Sequence, residues 1–379
     1  MLTTVKSLWR RMMTTPWSVP SKYRLEPFEA LTLEPDRELD ILLERLPITA
    51  DTLETHLALA ELFRKRGQID RAIRIHETLL EAELDREQTN RVRVELAQDF
   101  FSAGFLGRAE TELESLILEQ GEQYSAQAFR LWLAVLEREQ EWERAIKLVR
   151  DYGQPGSGNM RLANLYCEYV GQLKGQGKLV QARAALKEAR KLSDSARTFI
   201  ASSELETSLG HFHKALRLLK EALVRDVRRI DVILPGLKRL SRLVGGEASL
   251  RRYLEKLYDF HPSHRVLEAI LDLMGDSDPH YQQWQAELER VVNTGASFGL
   301  MQRWLEQRRD VGATPRAVLL ESIQRLKLRL PDGYQCNHCG YESGTMLWFC
   351  PQCERWETAF SIHEQRVHED RRQASLGRC

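Results

Sequence analysis

The sequence predicts a mostly α protein: an array of repeated helix pairs followed by a small four-cysteine knuckle domain. Three observations carry this expectation. Few stretches alternate apolar and polar residues, and only 12 prolines and 22 glycines interrupt 379 residues, a composition that favours helices. A short submotif recurs at nearly constant spacing through the middle of the chain. Four cysteines stand in two closely spaced pairs near the C-terminus. The length allows two or more domains.

Charge and hydropathy exclude several classes. Lys+Arg and Asp+Glu are equal at 55 each, within a charged fraction of 29%, so overall charge gives no argument for a nucleic-acid partner. No run of 18 or more apolar residues occurs, and no transmembrane helix is expected. The first 25 residues lack an apolar signal core and a cleavage site, which argues against secretion. Six cysteines in an unsecreted chain point to a reducing cytoplasm.

Residues 1–34 are expected to form a basic amphipathic segment. The first 25 hold Lys6, Arg10, Arg11, Lys22 and Arg24 and no acidic residue. Leu2, Val5, Trp9 and Met12 fall on one helical face, and Pro16 and Pro20 end the pattern. Such a segment could lie on an anionic bilayer surface. The alternative is an unstructured start.

Residues 35–225 carry the repeat. A Gly that closes one helix is followed five positions later by an Ala that opens the packing face of the next. The copies read Gly67 to Ala72, Gly104 to Ala109, Gln140 to Ala145, Gly177 to Ala182 and Gly210 to Ala215. Their first residues lie 37, 36, 37 and 33 residues apart. Gly supplies a left-handed turn, and Ala lets the second helix lie close against the first. Leu59, Phe63, Ile73 and Leu79 are expected to fill the seam of the first copy. The period is that of the tetratricopeptide repeat, whose helix pairs bury their faces only by stacking on neighbours. A superhelix with a concave, protein-binding groove is the expected result. Trp132 and Trp142 could line that groove, although aromatic residues at helical spacing belong more often to a core. The stretch from Tyr152 to Gly158 reads as a loop between the third and fourth copies.

The pattern decays after Ala215, yet residues 226–330 still read as degenerate helical repeats. Leu237, Leu240, Leu243, Leu250, Leu254 and Leu257 keep the apolar spacing, and Gly245-Gly246 marks a further helix-helix turn. Residues 275–280 and 310–315 read as loops.

Residues 331–362 are expected to form the metal domain, with 363–379 a polar tail. Cys336-Asn-His-Cys339 is followed after ten residues by Cys350-Pro-Gln-Cys353. Each CxxC closes a knuckle that aims two sulfurs at one point, and two facing knuckles make a tetrahedral thiolate site. Disulfides would need an oxidising compartment, and a redox CxxC would need a βαβ setting that is absent. The knuckles look rubredoxin-like. Thiolates accept both iron and zinc. Tyr334, Tyr341, Trp348, Phe349 and Trp356 are expected to pack over the sulfurs or to dock the domain onto the helices. His338 is expected as an exposed loop residue, because four thiolates already complete the site. His363 and His368 lie nearby in sequence. Cys167 reads as a buried small residue, and Cys379 is left over.

The combination resembles the lipopolysaccharide assembly protein B family over roughly residues 35 to 362. His56–His76 in the first repeat, Tyr334–Tyr341 and Leu347–Trp356 carry most of the likeness. The resemblance implies a non-enzymatic adaptor on the cytoplasmic face of the bacterial inner membrane. Such an adaptor helps a membrane AAA protease degrade the deacetylase that commits precursor to lipid A, and coordinates lipopolysaccharide assembly with other assembly proteins. It also implies a metal, iron in preference to zinc, on Cys336, Cys339, Cys350 and Cys353. The family begins with a transmembrane helix, and here the basic Trp-containing segment stands in its place: either the member is peripheral, or its start is misassigned, or it is a soluble, cytoplasmic relative with a changed role. Two other functions remain open. One is a cytoplasmic repeat scaffold for another protein client. The other is an electron-transfer or metal-dependent enzyme, for which no nucleotide loop or nucleophile-base constellation is present. Nucleic acid is not expected, since residues 334–356 hold Arg355 as their one Lys or Arg.

Overall fold

In the computed structural model the described residues are 46–362, apart from 50–51, 121–125, 154–158, 275–277, 279, 296, 309–311 and 330–332. The basic segment and the polar tail expected at the two ends lie outside them, as do His363, His368 and Cys379. The described residues fall into two compact units, one ending at Glu139 and one starting at Gln140.

The first unit holds α1 (Leu53–Lys65), α2 (Ile69–Leu80), α3 (Arg86–Ala103), α4 (Leu106–Gln120) and α5 (Ala126–Arg138). The second holds α6 (Trp142–Tyr152), α7 (Asn159–Gly175), α8 (Leu179–Leu192), α9 (Ala196–Ser208), α10 (Phe212–Arg225), α11 (Ile230–Leu243) and α12 (Glu247–Phe260). It continues with α13 (His264–Asp272), α14 (Tyr281–Gly295), α15 (Phe298–Gln307) and α16 (Ala313–Arg329), then three short strands. Within each unit the helices run in order as successive partners, so the mostly α repeat reading is borne out, and in the second unit helix pairing continues well past residue 225.

The turns show why. Gly67, Gly104, Gly177 and Gly210 have φ of 78°, 83°, 73° and 77°, and Gly245 has 66°. At each, the glycine N–H donates to the carbonyl three residues back, and the next N–H donates five residues back. Gly104 N to Phe101 O is 3.1 Å and Phe105 N to Phe100 O is 2.8 Å. This double closure satisfies carbonyls that the helix end would otherwise leave open. Gln140, where the repeat lacks its glycine, still adopts φ 59°. Ala72, Ala109, Ala145, Ala182 and Ala215 are all fully buried, as expected for positions that set helix-to-helix distance. A second device starts α3, where Asp85 and Gln88 form a reciprocal capping box.

The seam of the first repeat buries Phe63, Ile73 and Leu79, but Leu59 is half-buried. Apolar spacing alone does not reveal what else lies there. His76 and Asp99 are fully buried. Asp99 accepts from His76 Nδ1 at 2.6 Å and from Arg64 Nη1 at 2.8 Å. Arg64 also reaches Glu95 at 2.7 Å. This network ties α1 and α2 to α3 through charge rather than apolar contact alone. Trp132 is buried, and its indole N–H lies 3.3 Å from Glu110, whereas Trp142 is half-buried.

In the second unit, Leu237, Leu240, Leu250 and Leu254 enter a core that runs from α9 to α15. Leu243 does not: it is exposed, and Leu257 is half-buried. Leu243 directly precedes the turn at Val244-Gly245, where the helix rotates it off the seam. The loop expected at 310–315 is shorter, because α16 begins at Ala313. The expected 152–158 loop starts one residue later, after the last residue of α6; 154–158 lie outside the described residues, as does most of 275–280. Cys167 is buried in α7, and burial pushes its thiol up to about 12, so it is protonated and inert. Among the described residues no helix is long and apolar enough to cross a membrane.

The backbone strain at the turns gives a directional test. At Gly177 a Cβ would meet nothing within 4 Å, so only the left-handed φ opposes a side chain. Gly177→Ala is expected to destabilise the second unit by ~1 kcal/mol, and Gln140→Gly to shift stability the opposite way. Urea unfolding of the two variants checks the pair.

Candidate metal centre

The C-terminal strands form a three-stranded sheet in the order β2-β1-β3. β1 (Tyr334–Cys336) lies centrally, pairing antiparallel with β2 (Glu342–Ser343) and β3 (Ala359–Ser361). β1 delivers Cys336 to the site, where Cys336 pairs with Ala359.

The two CxxC segments fold alike. In the first, Gly340 takes φ 78° and its N–H donates to Cys336 O at 2.9 Å. In the second, Glu354 takes φ 54° and its N–H donates to Cys350 O, also at 2.9 Å. Cys336 N donates to Tyr341 O and Cys350 N to Arg355 O, at 2.8 and 2.9 Å. The two halves thus face each other as near copies. A glycine marks the left-handed position in the first half only.

All four sulfurs lie within 4.8 Å of one another. Cys336 Sγ is 3.7 Å from Cys353 Sγ, and Cys339 Sγ is 3.6 Å from Cys350 Sγ. A tetrahedron with metal–sulfur bonds of about 2.3 Å has sulfur–sulfur edges of about 3.8 Å. The residues present therefore fit a four-thiolate ion. Cys336 and Cys350 are buried, Cys353 is intermediate and Cys339 is exposed. Burial opposes ionisation of Cys336, but Thr358, whose Oγ1 lies 3.2 Å away, and backbone N–H groups of the knuckle outweigh it and bring the thiol down to about 6. Burial and the neighbouring sulfurs push Cys353 up to about 12. His338 is exposed, as expected of a residue outside the sulfur cluster.

The knuckles are seated on the helices of the second unit. Arg229 ends a short 3-10 turn, Val227–Arg229, that leads into α11. It is only 2% exposed. Its Nη2 donates to Glu357 O at 2.6 Å and its Nη1 to Ala359 O. The guanidinium lies 3.9 Å from the Phe360 ring centroid and 5.0 Å from that of Trp348. Burial lowers its pKa to about 10, so it stays charged at neutral pH. Arg197 on α9 faces Trp348 and Trp356, at 5.0 and 4.7 Å. It donates to Asn164 Oδ1 at 2.7 Å and to Glu168 on α7. Glu357, at φ 60°, accepts from Asn164 Nδ2 at 3.1 Å and Ser195 Oγ at 3.0 Å.

Of the two roles open to the aromatic residues, Trp348 and Trp356 take the docking one. Phe349 packs on Trp356 with ring centroids 5.0 Å apart, and Tyr341 is exposed. Sequence reading missed Asn164, Arg197, Arg229, Glu357 and Thr358. Arginine in a helical pattern reads as a solvated face, and nothing local distinguishes these two.

Fold and site together define a tetratricopeptide-repeat protein with a C-terminal rubredoxin-like knuckle domain. Residues 334–359 match the family described as rubredoxin metal binding domain, and residues 55–89 match the tetratricopeptide repeat family. Over most of its length the chain is similar to Lipopolysaccharide assembly protein B of Escherichia coli (strain K12), at 28% identity over 335 residues, 86% of either chain. It is similar also to Lipopolysaccharide assembly protein B of Haemophilus influenzae, at 27% over 351 residues, 88% of either chain. The resemblance drawn from the repeat and knuckle residues is thereby borne out. Among solved structures, that of Naa15/Naa10 bound to HypK-THB has a TM-score of 0.50 at 14% identity, covering 72% of this chain and 41% of that one. That likeness concerns the fold alone.

Arg229 carries the seat in this geometry. Arg229→Met is expected to leave the buried Ala359 carbonyl and the half-buried Glu357 carbonyl without the arginine's donors and to cost ~3 kcal/mol of docking stability. Amide hydrogen exchange should accelerate across 334–361 while α1 to α4 stay protected.

Proposed function

We propose that the protein is a non-enzymatic adaptor that regulates lipopolysaccharide biosynthesis. In this reading it presents the lipid A-committing deacetylase to a membrane AAA protease and so links synthesis to assembly. The observation that carries the reading is similarity to Lipopolysaccharide assembly protein B that extends over both the helical repeats and the knuckles, 86% of each chain. Tetratricopeptide arrays bind protein segments, which suits an adaptor. The protein would act at the cytoplasmic face of the inner membrane, peripherally or through its partners, with residues 1–25 as a candidate contact.

Cys336, Cys339, Cys350 and Cys353 would hold one metal ion. The ion would cross-link the two knuckles and supply folding free energy to a domain of about thirty residues. Four thiolates complete a tetrahedral shell and leave no open position, in keeping with a structural role. The donor set suits iron, favoured by the family resemblance, and zinc. The working division is 35–225 and 226–330 as helical repeats and 331–362 as the metal domain.

The half-life of the lipid A deacetylase in the native host, with the protein present and depleted, tests the function. Slower degradation on depletion is expected. An unchanged half-life would overturn the reading and leave a repeat scaffold for another client. Cys353→Ser tests the site. Metal content should fall and exchange protection across 334–361 should vanish, while the helical circular dichroism persists. Unchanged metal and protection would contradict the ligand assignment.

A further inference from the structure

Three consecutive helices of the second unit, the second of one pair and both of the next, build a basic groove that the metal centre does not use. It has a volume of about 680 Å³ and lies along α8, α9 and α10. Its floor is apolar: Leu186, Leu205 and Leu218 are buried there. On α8, Val180, Arg183, Ala184, Lys187, Arg190 and Lys191 line it. Their spacing of three and four residues places them on one helical face. Val180 is 86% exposed, an apolar side chain left standing in water at the rim.

The charges on the groove do not cancel. Its two carboxylates are already occupied. Glu206 is held by Lys214 at 2.8 Å, His211 at 2.6 Å and Arg183 at 3.4 Å. Burial opposes its ionisation, but these partners keep its pKa below the ordinary carboxylate range. Asp194 pairs with Arg225 at 3.2 Å. Lys187 has no salt-bridge partner among the described residues. Arg190 packs its guanidinium 4.5 Å from the centroid of the Phe199 ring, which fixes its position without neutralising it. Lys191 meets Glu188 at 2.7 Å, and Arg150 on α6 lies near enough to act on the same carboxylate. The net result is a cationic rim around a leucine floor.

We propose that this groove docks an acidic peptide segment of a partner protein, with an apolar residue of that segment seated on the leucine floor. Acidic side chains would answer Lys187 and Arg190, and the apolar anchor would cover Val180 and the floor. Such a rim sets partner choice and encounter rate, while the anchor supplies residence. The site rests on the adaptor reading and adds to it the chemistry of the bound client.

The test titrates the full chain against a fluorescein-labelled peptide of Glu, Asp and Gly around a Leu pair, and against its Lys-substituted counterpart. Saturable binding of the acidic peptide alone, weakened by added salt, is expected. Lys187→Glu with Arg190→Glu should weaken it at least ~10-fold, and Val180→Asp should weaken it too. Arg325→Glu, an equally exposed change on α16, should leave it unchanged. All four substituted residues are exposed, and circular dichroism verifies folding. Absence of saturable binding, or binding indifferent to the α8 changes, would overturn the proposal. Binding to vesicles of anionic phospholipid in place of the peptide would overturn it in favour of a membrane surface. Deacetylase half-life in cells carrying the double α8 variant separates the two readings. If depletion of the whole protein leaves the half-life unchanged, the adaptor reading fails while the titration still decides the groove.

Discussion

Left-handed backbone at one residue per turn is the constraint on which the repeat array depends. A helix that ends this way closes its own carbonyls and sends the chain back at a nearly fixed angle. The following helix must then lie close, and it can do so only where its facing residue is small. The five fully buried alanines meet that demand. Once pair geometry is set, stacking follows, because each pair leaves an apolar face that only its neighbour can cover. Gln140 shows that the demand belongs to the turn and not to glycine. Its backbone takes φ 59° and bears the steric cost of a Cβ.

The knuckles solve a different problem. A segment of about thirty residues cannot bury enough apolar surface to fold on its own. Here the sulfurs converge at one end of the small sheet, and two arginines of the helical unit occupy the space beneath its aromatic residues. Burying an arginine is costly unless its donors are satisfied. Arg229 meets that condition with backbone carbonyls of β3 and its approach, and Arg197 with Asn164 and Glu168. Their flat guanidinium faces then serve as apolar-compatible surfaces for Trp348, Trp356 and Phe360. Lysine could not play both roles.

Much of this was legible in the chain. The Gly-to-Ala submotif located five turns and five buried contacts, and the cysteine spacing located the sulfur cluster. Both signals are local: a few residues at fixed offsets express the whole requirement. The seat of the knuckles was not legible, because Arg229 and its acceptor at Ala359 are 130 residues apart. The polar core of the first repeat was hidden for a similar reason. His76 and Asp99 look like surface residues until α3 is laid across α2. Leu243 erred in the other direction: steps of three from Leu237 through Leu240 drift around a helix of 3.6 residues per turn, so the last residue before the turn has already left the seam.

One consequence follows from where the knuckles sit. Asn164 and Glu168 belong to α7, Ser195 and Arg197 to the start of α9, and Arg229 to the start of α11. The docked domain therefore grips the first helices of three consecutive pairs at once. Repeat arrays flex like springs, because each coil touches only its neighbours. A brace across three coils stiffens that stretch and leaves elastic freedom to the coils outside it.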